Sequence, residues 1–174
     1  MSTADSILGA AKDQVRALAA PDLDARPRKK VAVLACMDAR LDVFPLLGLD
    51  RGDAHIIRNA GGLVTDDAIR SLTISQRLLG TEEIIVMMHD GCGLLRASEE
   101  DFADALRASG VAPAMSLGAF DDLDEALGAG LARLRADPVL LHRDSIRGFV
   151  FDPSAGTLRE VDPPPEKPES AVGT

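Results

Sequence analysis

The chain has 174 residues, 46% hydrophobic and 27% charged, which predicts one globular domain with a single core. A net charge of −9 and the absence of Trp and Tyr argue against nucleic acid and anionic membrane as partners. The longest apolar runs are far too short to span a bilayer, and no charged-then-apolar leader opens the chain, so a cytoplasmic protein is expected.

Residues 3–19 place Ile7, Leu8, Ala11, Val15 and Leu18 among polar positions, the pattern of an amphipathic helix that Pro21 ends. So far ahead of the first strand, it must pack on the domain flank or on another subunit. Arg26, Arg28, Lys29 and Lys30 then read as a solvated lead-in rather than a phosphate patch. Strand one is 31–36, residues 41–47 form a short helical turn, and His55 to Arg58 is strand two. The loop Arg58-Asn59-Ala60-Gly61-Gly62 carries paired glycines, which permit positive φ and close backbone approach to a ligand. Gly61 and Gly62 are therefore candidate substrate-binding positions.

Thr65 caps the next helix, with Asp66 and Asp67 at its positive end and Gly80 as its stop. Strand three is 83–88. Ser98-Glu99-Glu100-Asp101 opens a helix closed by Gly110, and 111–120 is a loop. Asp121 is the expected cap of a helix to about Arg135, with Leu123, Leu127, Leu131 and Leu134 on one face. Ile146 to Phe151 is strand four, and 157–161 an antiparallel edge strand. Strands alternating with helices predict an α/β domain with a mainly parallel sheet flanked by helices. Its expected span is 1–162, with 1–28 an N-terminal helical arm and 29–162 the core. The Pro-rich segment 163–174 is expected to be disordered.

Both cysteines of the chain, Cys36 and Cys92, stand at matching strand ends, and His89 stands with Cys92 in a His-x-x-Cys spacing. In an open parallel sheet, ligands bind beyond the carboxyl ends of the strands. Cys, His and Cys with a fourth position open are the ligand set of a catalytic zinc, one ion per chain. Two thiolates cancel the charge of the ion, so its water should be a weaker acid than on a three-histidine site, where the pKa is about 7. Asp38 can accept a hydrogen bond from the hydroxide or bind the zinc itself, and Arg40 can grip Asp38 in a bidentate pair and decide between these states. His55 and His142 lack such context and are assigned structural roles. The chain has no Walker loop, no Gly-x-Gly-x-x-Gly and no deaminase Cys-x-x-Cys.

Cys36-Met37-Asp38-Ala39-Arg40 followed by His89-Asp90-Gly91-Cys92 resembles the Cys-x-Asp-x-Arg … His-x-x-Cys signature of the β-class carbonic anhydrases. Arg58-Asn59-Ala60-Gly61 resembles that family's loop after its second strand, and Arg147 to Asp152 its last core strand. The resemblance implies a four-stranded parallel sheet of order 2-1-3-4 and an obligate dimer with the N-terminal helix laid over the partner, a tetramer being the larger alternative. It implies hydration of carbon dioxide to bicarbonate by metal-bound hydroxide. By position, Cys36, His89 and Cys92 would bind zinc, Asp38 and Arg40 would form the catalytic dyad, and Asp38 would become a fourth zinc ligand in a closed form. The chain lacks the glutamine that plant-like members place ahead of strand one, and it is most similar to a small bacterial subgroup that includes carbonyl sulfide hydrolases. Hydrolysis of carbonyl sulfide or carbon disulfide at the same zinc is thus the alternative reaction. A non-catalytic, zinc-stabilised anion-sensing dimer is the alternative from outside enzymology. Phe44, Leu63 and Met88 are the residues expected to set pocket width.

Overall fold

The computed structural model describes residues 2–161, apart from the side chain of Asp13. The expected tail, 163–174, lies outside the described residues. Five strands form one sheet: β1 (Val31–Cys36), β2 (Ala54–Asn59), β3 (Glu83–His89), β4 (Ile146–Asp152) and β5 (Thr157–Val161). Their order is β2-β1-β3-β4-β5, with the first four parallel, in the order the family resemblance implies, and β5 antiparallel to β4, the expected edge strand.

β1 sits in the middle of the functional half and is buried along its whole length. Its run Val-Ala-Val-Leu-Ala is apolar on both faces, as a strand covered on both sides requires. Alternation divides it. Ala32 and Leu34 face a core built with Ile84, Val86 and Met88 of β3 and with two helices, α3 (Asp66–Leu79) and α5 (Leu123–Ala136). Val33 and Ala35 face the opposite core, with Met87, Leu41 and Val43, and that second core also holds Cys36 and Cys92. The candidate ligands therefore belong to the layer opposite α3 and α5.

Local chemistry explains the ends of the helices. The Thr65 hydroxyl accepts from the Ala68 amide at the start of α3, and Gly80 ends it in the left-handed region. In α5 the cap is Asp122, not Asp121: its carboxylate accepts from the amides of Asp124 and Glu125. The two aspartates are equivalent in sequence, and only the backbone path selects the second. The helix α4 (Glu99–Ala108) begins at Ser98, whose hydroxyl accepts from the Asp101 amide. A four-residue helix, α2 (Val43–Leu46), occupies the expected turn.

The first helix, α1 (Thr3–Gln14), is shorter than the predicted 3–19, with residues 15–18 continuing as turns. Ile7, Leu8, Val15 and Leu18 are all exposed. Arg28 and Lys29 pair with Asp53, and Lys30 with Glu82, so most of the basic lead-in is engaged by nearby carboxylates. No helix among the described residues is long and apolar enough to cross a membrane.

Candidate metal centre

β1 and β3 are neighbours in parallel register, so their carboxyl ends lie side by side. β1 ends on Cys36 and β3 ends on His89, one residue further than the sequence predicts. The turn after β3 brings Cys92 back over the strand ends. The Sγ atoms of Cys36 and Cys92 and a ring nitrogen of His89 all lie within 4.8 Å of one another, and all three residues are buried.

His89 is oriented from behind. Its Nδ1 lies 2.9 Å from the carbonyl oxygen of Asp90, which can only accept, so Nδ1 carries the proton. Nε2 is then a bare lone pair, and it is a fully buried polar atom with no hydrogen-bond partner. An unpartnered buried acceptor is costly and rare in folded proteins. Two buried thiols lie beside it. Burial, followed by the nearness of Cys36, pushes the Cys92 thiol upward from its usual range. A cation would remove the cost of the orphaned nitrogen, because the imidazole lone pair would become a ligand, and it would draw the two thiols into the same site as thiolates. Tetrahedral zinc with Zn–S near 2.3 Å spaces two sulfurs about 3.8 Å apart, which the observed cluster can accommodate.

Asp38 stands at the rim, its side chain 21% exposed. Arg40 Nε donates to Oδ1 at 2.9 Å and Nη2 to Oδ2 at 2.8 Å, a bidentate grip, and the Arg40 amide also donates to Oδ1 at 2.9 Å. These bonds hold the Asp38 carboxyl well below the usual carboxylate range, the Arg40 side chain contributing most. Arg40 Nη2 donates further to the carbonyl of Gly91, tying the dyad to the turn that carries Cys92. Asp38 Oδ2 lies 3.6 Å from His89 Nε2.

Arg58 has a role that the pattern of residues did not reveal. Its Nε donates to the Cys36 carbonyl at 3.0 Å and its Nη2 to the Asp38 carbonyl at 2.7 Å. One guanidinium thus anchors the backbone on both sides of the turn between ligand and dyad. Asn59 closes the next turn, donating to the Leu63 carbonyl and accepting from its amide. That turn seats Gly62 on the sheet itself. A Cβ at Gly62 would stand 2.8 Å from the carbonyl oxygen of Met87 and 3.0 Å from the amide nitrogen of Cys36. At Gly61 a Cβ would instead meet Leu94 and Leu63 side chains at 3.0 and 3.1 Å.

Two of the residues expected to set pocket width lie elsewhere. Met88 points into the α3/α5 core, since it alternates with Met87. Phe44 lines a separate cavity of about 440 Å³ outside β2, with Ile57, Ile74 and Leu79. Leu63 alone of the three lies beside the glycine loop. His55 is structural, as expected: Nδ1 meets the Ser75 hydroxyl and Nε2 the Ala25 carbonyl.

Residues 31–117 match the family model described as carbonic anhydrase. The chain is 49% identical over 138 residues to the β-carbonic anhydrase 1 of Mycobacterium tuberculosis, covering 79% of this chain and 85% of that one. It is 36% identical over 152 residues to a carbon disulfide hydrolase of Acidithiobacillus thiooxidans, covering 75% and 76%. Among solved structures, the carbonic anhydrase of Streptococcus mutans superposes with a TM-score of 0.86 at 40% identity, over 93% of this chain and 99% of that one. A carbon disulfide hydrolase in its apo form superposes with a TM-score of 0.71 at 31% identity, over 91% and 89%.

Proposed function

The chain belongs to the β-carbonic anhydrase family, and from that premise we propose that it hydrates carbon dioxide to bicarbonate at one zinc ion per chain, held by Cys36, His89 and Cys92. The observation that carries the proposal is the bare, fully buried Nε2 of His89 beside two buried thiols, within reach of a carboxylate locked by an arginine. Zinc, when bound there, supplies a Lewis acid that makes water nucleophilic near neutral pH.

The remaining work falls to the protein. Asp38, kept ionised by Arg40, accepts the O–H of the attacking water and aims its lone pair at the carbon. Arg40 occupies both carboxylate oxygens, so Asp38 would be kept from binding a metal held by Cys36, His89 and Cys92; without that grip it would be free to serve as a fourth ligand and close the site. Arg58 keeps Cys36 and Asp38 at a constant separation by holding the carbonyl of each. Gly61 and Gly62 bring the loop close enough to border the substrate, with Leu63 and Leu94 supplying apolar surface suited to an uncharged gas. Carbon dioxide gains the oxygen of one water, of whose protons one stays on the bicarbonate and one goes to solvent, so no redox partner is needed.

Hydrolysis of carbonyl sulfide or carbon disulfide is the second reading, favoured by the similarity to carbon disulfide hydrolases in both sequence and structure. These molecules are linear and isoelectronic in their valence shells, so one nucleophile serves all three. Stopped-flow hydration of carbon dioxide, compared with sulfide release from carbonyl sulfide and carbon disulfide on one zinc-loaded preparation, tests the choice. The first reading expects the highest kcat/KM for carbon dioxide. Turnover of the sulfur compounds with scarcely any of carbon dioxide would overturn it.

We further read residues 1–162 as one enzyme domain working in the cytoplasm, where thiols stay reduced for metal binding. The assembly is a homodimer or a multiple of one. The support is the apolar side of α1, Ile7 and Leu8 being 64% exposed, and the apolar cavity outside the edge strand β2. Each is a surface that a second copy can cover.

A further inference from the structure

Between the turn of Cys92 and α5 the chain makes a long excursion, residues 93–121, that contains α4 and returns to the metal centre. The turn just before its return, residues 116–119, is gathered by one carboxylate. Glu99, the first residue of α4, accepts four hydrogen bonds from the other side of the excursion: from the Ser116 hydroxyl at 2.8 Å and from the amides of Leu117 at 2.8 Å, Gly118 at 2.9 Å and Ala119 at 3.2 Å. Capping of α4 is done by Ser98, so the Glu99 carboxylate is not needed there. Three consecutive amides converging on one carboxylate form a nest, a strong and geometrically specific arrangement.

What this nest holds in place lies against the site. A Cβ at Gly118 would stand 3.0 Å from Leu63 Cδ1, and Leu63 in turn borders Gly61 together with Leu94. Two residues on, the Phe120 amide donates to the Leu94 carbonyl and the Phe120 carbonyl accepts from the Arg96 amide. Leu94 and Phe120 both pack on the cluster that contains Cys36 and Cys92. A continuous run of contacts therefore links the Glu99 carboxylate, through the 116–119 turn, to the apolar side of the substrate position.

We propose that Glu99 is a positioning residue that sets substrate size: by clamping the 116–119 turn, it holds Gly118 against Leu63, and so keeps Leu63 and Leu94 closed on Gly61, favouring the smallest linear substrate over its sulfur-containing analogues. The inference rests on the reading of the site given above. Carbon dioxide, carbonyl sulfide and carbon disulfide differ mainly in length and girth, so the apolar wall is the natural place to discriminate among them. The nest also has the ionisation it needs, since the amides of the 117–119 turn and the Ser116 hydroxyl hold the Glu99 carboxyl below its usual range.

The test compares the full-length wild type with Glu99→Ala, Glu99→Gln and Ser116→Ala, each zinc-loaded. Zinc per chain is expected to be unchanged in all. Hydrogen exchange at the Leu117, Gly118 and Ala119 amides should speed at least tenfold in Glu99→Ala. The kcat/KM ratio of carbonyl sulfide to carbon dioxide should rise at least threefold, with Glu99→Gln intermediate and Ser116→Ala smaller in the same direction. A parallel measurement needs no turnover: on the cobalt-substituted protein, the affinity of the longer anion thiocyanate relative to cyanate should rise with the same ranking. Faster exchange with both ratios unchanged would show a merely structural clamp and overturn the proposal, as would unchanged exchange or loss of zinc. If Glu99→Ala does not fold, the other two variants decide by the same criteria. A wild type that turns over neither gas defeats the proposed function, while the anion ratio still judges the role of Glu99.

Discussion

Gly62→Ala is the substitution whose consequence can be worked most directly from the structure. Two separate costs arise. Gly62 has φ +67, and a left-handed conformation costs an L-residue roughly 1–2 kcal/mol. The added Cβ also lies 2.8 Å from the Met87 carbonyl oxygen and 3.0 Å from the Cys36 amide nitrogen. Neither atom belongs to a flexible side chain; both are backbone, paired within the central strands. Relief requires the loop or the strands to move by several tenths of an ångström, and overpacking of this kind costs about 1–3 kcal/mol. The sum, roughly 2–5 kcal/mol, is a large share of the about 5–15 kcal/mol that keeps a domain folded. Gly80→Ala isolates the first cost. Gly80 has φ +77, yet nothing lies within 4 Å of its would-be Cβ, so its substitution should cost only that roughly 1–2 kcal/mol. The assay is urea unfolding of both variants at unchanged m-value, with zinc per chain measured on the same samples. Gly62→Ala should be the less stable of the pair and should bind zinc more weakly, because the displaced amide belongs to a ligand. Equal stabilities and full zinc in both would refute the seating of the loop on the strand ends.

Other expectations follow from the same geometry. Cys92→Ser should lower zinc from about one per chain to a small fraction, checked by atomic absorption after dialysis. Arg40→Ala should keep its zinc yet lose roughly a hundredfold in turnover, as Asp38 moves onto the metal, and Arg40→Lys should recover only part of it; near-normal turnover across pH 7 to 9 would refute the gate. The Glu99 carboxyl is lowered from 4.5 by its nest, so its contribution is complete above that value and is lost only as pH falls below it. The Gly118 and Ala119 amide resonances should therefore titrate with a midpoint below 4.5, and lose that titration in Glu99→Gln. Removal of residues 2–18 should convert the assembly to monomers by sedimentation, since it takes away the exposed apolar side of α1.

Much of this protein could be read from local pattern. Apolar runs such as Val31 to Ala35 and Ile84 to Met88 specify buried strands without reference to any partner. Thr65, Ser98 and Gly80 mark helix ends because capping acts within three or four residues. The donor set was equally visible: only thiol and imidazole at adjacent strand ends suit a soft cation, and the chain has just two cysteines to offer. Pairing of Asp38 with Arg40 spans two residues, so it too is a local matter.

Tertiary structure decided what depends on register and on distant partners. Met87 and Met88 are alike in composition, but the pleat sends neighbours to opposite faces, and only the first reaches the layer of Cys36 and Cys92. Phe44 belongs to the surface outside β2, which its place in the sequence does not show. Arg58 reaches carbonyls 22 and 20 positions away, and a carbonyl carries no side-chain identity for a pattern to detect. The nest around Glu99 is built from backbone amides for the same reason. Residue types can declare which side chains are able to bind a metal; the peptide groups that hold those side chains in place are chemically uniform along the chain, and only the fold selects among them.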